Sequence, residues 1–293
     1  MKNSENIKLE SGISKALIIM SPKKSAVLPC TEKLIKELNE YKIVPFMESS
    51  AESIIKSDGV NFIDRDEAFQ KADIVFVVGG DGTILRAAET AILYDKPILG
   101  INAGRLGFLS DLEENDIGNI KKLVTESCPV EKRMVLDISK GDKTVSAVND
   151  VYITKTQPGR TTELFVECND REVCRYRADG ILLATPDGST AYSMSAGGPV
   201  LDTTLNAIIM TPVCPHSLIS RSIVFSPDKV ISVGSKFSGG ERKLDVVVDG
   251  EIAFCIKKNE KITVSASEKC VRFVNISGRG FYEVLNQKII GRR

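Results

Sequence analysis

The chain has 293 residues, 42% of them hydrophobic, which is enough to bury a sizeable core and at this length favours two domains over one. Its 39 basic residues balance its 39 acidic ones, so at zero formal charge no general basic field exists to hold nucleic acid or an anionic membrane, and any anion must be bound locally. Charged Lys2, Glu5, Lys8 and Glu10 interrupt the N-terminus and the apolar run Ala16 to Met20 is too short to span a bilayer or serve as a signal, so the expected setting is the cytoplasm.

In chain order, Lys15 to Met20 has the pattern of a buried strand, and Thr31 offers an N-cap for a helix over Glu32 to Tyr41. A strand is expected at Ile43 to Phe46 and a short helix at Asp66 to Ala72. The run Ile74 to Val78 is apolar at every position, as a central parallel strand requires. It leads directly into Gly79-Gly80-Asp81-Gly82, a helical pattern over Thr83 to Leu93 and a second buried strand at Pro97 to Ile101. Ser110 and Glu113 suggest a capping box for a helix reaching Val124. These elements make an α/β domain over residues 1–125 with a parallel sheet.

Period-two alternation then takes over, at Val145 to Thr154, Thr162 to Cys168, Glu172 to Arg177, Leu244 to Val248, Glu251 to Ile256 and Ile262 to Ser265. Asn169-Asp170 and Asp249-Gly250 are pairs that tolerate positive φ in tight hairpins. An all-β domain over residues 126–275 follows, with a tail, 276–293, expected to return to the first domain. Between the hairpins, Ala184 to Pro199 is unusually rich in small residues. Seven scattered cysteines without a CxxC pair argue against a disulfide framework and a zinc site, and His216, the sole histidine, rules out two-histidine chemistry.

A glycine turn at the carboxyl end of a parallel strand, opening a helix, directs backbone N–H groups and the helix dipole at one point, which suits phosphate. Gly79, Gly80, Gly82 and Thr83 are the candidate phosphate ligands, with Arg86 a turn further on. The turn matches neither common phosphate-loop pattern and contains no lysine. Asp81 among these glycines either accepts a proton, binds a metal that neutralises the phosphates, or turns away to cap the helix.

Five segments together, Gly79 to Thr83, Asn102 to Leu109, Asn149-Asp150, Asp179-Gly180 and Thr185 to Ser193 with Ser195 to Pro199 behind it, resemble the NAD kinase family. The glycine turn alone also resembles diacylglycerol kinases and phosphofructokinases, and the later segments decide the choice. The resemblance implies an α/β domain followed by a β-sandwich-like domain, with the active site between them in a homodimer or homotetramer. It implies transfer of a phosphoryl group from ATP or polyphosphate, with Mg²⁺ or another divalent cation, to the adenosine ribose 2′-hydroxyl of NAD. By the same resemblance Asp81 is the catalytic base, and Gly82, Phe108, Asn149, Asp150, Asp179, Asp187, Thr190, Ala191, Tyr192 and Ser195 bind NAD. No residue is assigned as a protein-held metal ligand. Asp187 departs from the family's usual threonine or serine, and its charge is expected to face solvent or find a donor near the adenine. The alternatives of another class, a lipid or sugar kinase and a catalytically silent dinucleotide sensor, would call for a basic membrane face and for loss of Asp81, respectively.

Overall fold

The computed structural model describes residues 7–9, 12–21, 26–104, 107–156, 161–217, 220–235, 243–257 and 259–290. The chain divides into two compact units, one made of Met1–Lys132 with Val271–Arg293 and the other of Arg133–Cys270.

The first unit is α/β. Its elements in chain order are β1 (Lys15–Met20), α1 (Val27–Glu40), β2 (Val44–Glu48), β3 (Asn61–Ile63), α2 (Arg65–Lys71), β4 (Ile74–Gly79), α3 (Asp81–Leu93) and β5 (Ile98–Asn102). The strands are parallel in the order β3-β2-β1-β4-β5. That order reverses between β1 and β4, where α/β sheets of this kind bind ligands beyond the carboxyl ends of the strands. Ala16, Ile18, Phe76, Val78 and Ile101 share one core with Leu34, Ile35 and Leu38 of α1. Leu17, Val75 and Val77 alternate to the opposite face and are buried too. On that side the side chain of Ile84 in α3 occupies the space a Cβ at Gly100 would need. Both faces are covered, which is why these strands are apolar throughout.

Two helix starts differ from the sequence expectation. Thr31 is interior to α1, buried, and its hydroxyl donates to the Val27 carbonyl at 2.8 Å, because the apolar stripe already begins at Val27 and Cys30. Asp64 caps α2, accepting from the Asp66 and Glu67 amides. Ser110 does not cap a helix: its Oγ accepts from the Gly107 amide at 3.2 Å. The helix starts instead as a 3-10 segment, Glu114–Lys121, whose capping box pairs Glu113 with Asp116, and continues as an α-helical turn, Lys122–Thr125, so that it does reach Val124.

The second unit is mostly antiparallel β. One sheet runs Ile223–Phe225, Ile208–Val213, Gly180–Ala184, Asp150–Lys155, Leu244–Val248, Glu251–Ile256; the other includes Arg171–Ala178, Thr162–Cys168, Ile231–Ser235 and part of the long strand Lys261–Val274. Val151, Ile153, Ile181, Leu183 and Met210 from the first sheet pack in one core with Leu164, Val166, Val233 and Val264 from the second. Asn169 and Asp170 at φ 49° and 60°, and Asp249 at φ 46° ahead of Gly250, make the left-handed hairpin turns their sequences call for.

Candidate functional site

In the first unit, β4 ends at Gly79 and α3 starts at Asp81, with Gly80 as N-cap in extended conformation. The turn is tight. A Cβ at Gly79 would stand 2.7 Å from the Thr83 hydroxyl, and the Thr83 and Ile84 amides already donate to the Gly80 carbonyl at 2.8 and 3.2 Å. The amides of Asp81 and Gly82 are therefore the ones the helix start leaves for a ligand. Gly82 is exposed with open space where a Cβ would be. Thr83 is buried, and Arg86, five residues past Asp81 and so roughly 140° round the helix from it, is exposed.

The Asp81 carboxylate is fixed by the segment after β5. It accepts from the Phe108 amide at 2.9 Å and the Leu109 amide at 3.2 Å, with Gly107 packed so closely that a Cβ there would overlap Oδ1. Lys288 brings its ammonium to 3.7 Å from Asp81 Oδ2 and to 4.2 Å from the centre of the Phe108 ring. Phe281 lies on the same ring, centroids 6.5 Å apart. Arg105 and Leu106, in the middle of this segment, lie outside the described residues.

In the second unit, Asp150 opens its strand opposite Ala184 and is buried. The Asp249 carboxylate accepts the amides of Val148 at 2.7 Å, Asn149 at 2.9 Å and Asp150 at 3.0 Å, so a hairpin-turn residue holds the Asn-Asp pair in place. Burial, and secondarily the Asp249 charge, push the Asp150 carboxyl up to about 7, against the opposing effect of the Tyr192 amide that donates to it. The Asn149 carbonyl accepts the Thr185 amide at 2.9 Å, and Gly188 lies against the Asn149 backbone with no room for a Cβ. Asn149, Asp150 and the Thr185 to Tyr192 segment are thereby brought together.

Within that segment, Thr190 donates to the Asp187 carbonyl at 3.0 Å. Ala191 and Ser195 line its end, Ser195 exposed. Tyr192 is exposed and meets the Tyr152 ring edge-on at 5.2 Å. Asp187 neither faces solvent nor an open site: it is buried, and its Oδ1 lies 2.9 Å from Arg133 Nη1. Asp179 pairs with Lys155. Arg133, Lys155, Asp249 and Lys288 carry no motif and were not singled out by sequence reasoning. Asp249 alone had a signal, the Asp-Gly hairpin, and that signal concerned the turn.

Among the described residues no three His, Cys, Asp or Glu side chains gather as a metal site requires. A divalent cation accompanying a triphosphate needs no such cluster, since Mg²⁺ is commonly held by one or two carboxylates together with phosphate and water oxygens. No helix among them is long and apolar enough to cross a membrane.

Residues 15–127 match the family model described as ATP-NAD kinase N-terminal domain, and residues 148–276 match the ATP-NAD kinase C-terminal domain. A NAD kinase of Natranaerobius thermophilus is 33% identical over 94% of this chain and 97% of the relative, and one of Acetivibrio thermocellus is 38% identical over 78% and 81%. Of solved structures, an NAD kinase from Archaeoglobus fulgidus in complex with ATP superposes at TM-score 0.70 with 26% identity, covering 94% of this chain and 97% of that one. Yeast NADH kinase complexed with NADH gives TM-score 0.84 at 23% identity over 96% and 88%, a likeness of fold.

Proposed function

This chain belongs to the NAD kinase family and phosphorylates NAD to NADP; on that premise we propose that Asp81 is the general base and that ATP, bound with a divalent cation, is the donor. The observation that carries the assignment is the Asp81 carboxylate itself. It stands in the glycine turn at the N-terminus of α3, at the point where the strand order reverses, and two backbone amides fix its direction. The ribose 2′-oxygen forms a bond to the terminal phosphorus as the bond from that phosphorus to the bridging oxygen breaks. The hydroxyl proton passes to Asp81, and the bridging oxygen leaves with the electron pair on ADP. The cation's contribution is to offset phosphate charge. The amides of Asp81 and Gly82, with the helix dipole, receive the phosphates, so positioning and electrostatics supply most of the rate. Asp150, a carboxylate able to accept from two adjacent hydroxyls, holds the adenosine ribose, with Asn149 toward the adenine and Tyr192 presenting a ring face. Asp179 and Phe108 flank the remainder of the dinucleotide. The protein is proposed to act in the cytoplasm as a homo-oligomer.

Asp81→Asn keeps the shape of the side chain and removes the proton acceptor. Its kcat is expected to fall by roughly 10²- to 10⁴-fold with little change in the NAD dissociation constant. Near-full turnover in this variant would sink the assignment.

A further inference from the structure

The turn that receives the phosphates has an unbalanced charge. Its own contribution is two amides that have no acceptor within the helix and the partial positive end of that helix, worth roughly half an elementary charge, and Asp81 sets a full negative charge beside them. A terminal phosphate brought there meets like charge; the divalent cation offsets charge the donor brings, and a side-chain cation beside Asp81 would add to the stabilisation of the charge that builds on the phosphate oxygens during transfer. No lysine stands within Gly79 to Thr83, and Arg86 is exposed roughly 140° round α3 from Asp81.

We propose that Lys288, from the segment after Phe281, is the side-chain cation that the described residues supply to the phosphoryl-transfer site alongside the donor's divalent cation, contacting the terminal phosphate of the donor from the side of Asp81. Its ammonium is 3.7 Å from Asp81 Oδ2, which is ion-pair range but longer than a hydrogen bond, so the pair consumes none of its three N–H donors. The ammonium also lies over the Phe108 ring, 4.2 Å from its centre, an attraction that holds a cation near Asp81 without occupying its donors.

The segment that carries Lys288 is itself fixed. The Asp111 carboxylate accepts from the Ile276 amide at 2.8 Å and from the Ser277 hydroxyl at 2.6 Å. Arg279 reaches Glu113 at 3.1 Å and Asp116 at 2.9 Å. Phe281 then packs near Phe108, and a short helix, Phe281–Leu285, runs into a π-helical turn, Asn286–Ile290, bearing Lys288. Single-turn π geometry inside or at the end of a helix is often retained where a side chain must be aimed. The proton that moves in the transfer is that of the ribose hydroxyl, to Asp81.

This inference rests on the reading that the transferred group sits beside Asp81, and the test separates the two. Lys288→Met, Lys288→Arg and Asp81→Asn are prepared in the full chain. For each, kcat/KM for ATP and for NAD is measured with Mg²⁺, together with calorimetric binding of NAD and of a non-hydrolysable ATP analogue. Lys288→Met should lower kcat/KM for ATP by about 10²- to 10³-fold, as losing one preorganised charge contact does. It should weaken the analogue about 10- to 100-fold. NAD binding should stay within about twofold, and Lys288→Arg should recover most of the loss. Should the Met variant not fold, Lys288→Gln is read in the same way. An unchanged kcat/KM for ATP overturns the proposal, and so does a fall in kcat with unchanged analogue binding, which would make Lys288 a positioning residue acting through Asp81. Activity retained by Asp81→Asn overturns the base assignment alone.

Discussion

Gly107 and Asp81 are 26 residues apart in sequence and in contact in the fold, and that contact makes the base testable without touching it. Gly107 does not adopt a positive φ, so alanine is acceptable to the backbone, yet its methyl group would overlap the Asp81 carboxylate. Gly107→Ala should therefore fold normally and lose kcat by roughly tenfold to a hundredfold through displacement of the base. Wild-type turnover would mean that the direction of the Asp81 side chain is immaterial. Asp187 makes a second test. Its ion pair with Arg133 is largely buried, so Asp187→Thr should lower unfolding free energy by about 3 kcal/mol in chemical denaturation, with NAD affinity changed less than about tenfold. Adding Arg133→Met should return part of the loss; full additivity would show the pair is not coupled. The sequence marked Asp187 as unusual, but Arg133 lies 54 residues away and has no pattern of its own, so the partner was invisible.

Elements explain which parts of the site were legible. The passage from an all-apolar strand into Gly79-Gly80-Asp81-Gly82 and an amphipathic helix is local, and β4 and α3 stand within two residues of where the pattern puts them. The hairpins at Asn169-Asp170 and Asp249-Gly250 were equally plain, because positive φ restricts which residues can be used. Gly180–Ala184 and Ile208–Val213 were missed because they are buried on both faces and show no alternation. Pro212 lies inside the second of these strands. It is tolerated because the neighbouring strand, Ile223–Phe225, pairs only as far as Met210 and leaves the ladder position at Pro212 open on that side. At the strand start Asp150–Lys155, the pH dependence follows from the raised Asp150 carboxyl. Folding lifts it from about 3.8 to about 7, so the folded state holds the extra proton between those values. Stability from this group is thus greatest in acid and is lost as the pH rises through 7. Asp150→Asn should raise the melting temperature more at pH 8 than at pH 5, and a gain independent of pH would contradict the shift. Because the ionised form is the stronger acceptor for ribose hydroxyls, wild-type kcat/KM for NAD should decline below pH 7, a decline the Asn variant should lack.

At the scale of the whole molecule, the α/β unit is discontinuous in sequence. Its last pieces come after the entire second unit: Phe273 beside Ile98 in the sheet, Ser277 on Asp111, Arg279 on Glu113 and Asp116, and Lys288 over Phe108. Nothing in composition or periodicity foretold these partners, since each joins residues more than 150 positions apart. Ending the chain at Cys270 should leave the second unit folded and the first poorly cooperative, seen as a separate, lower thermal transition; a single unchanged transition would show the returning segment to be dispensable. The same discontinuity bears on synthesis. A ribosome moving from the N-terminus delivers Asp81, its glycine turn and the Asn149-Asp150 pair long before Lys288, so during most of translation the α/β unit lacks its closing strand and anchors. The order of synthesis thus withholds a finished phosphate-binding unit from any nascent or prematurely terminated chain until residues beyond Arg279 have emerged. Stalled chains of increasing length should accordingly gain protease resistance in residues 15–127 only past that point, and resistance acquired at the length of residue 132 would refute this order.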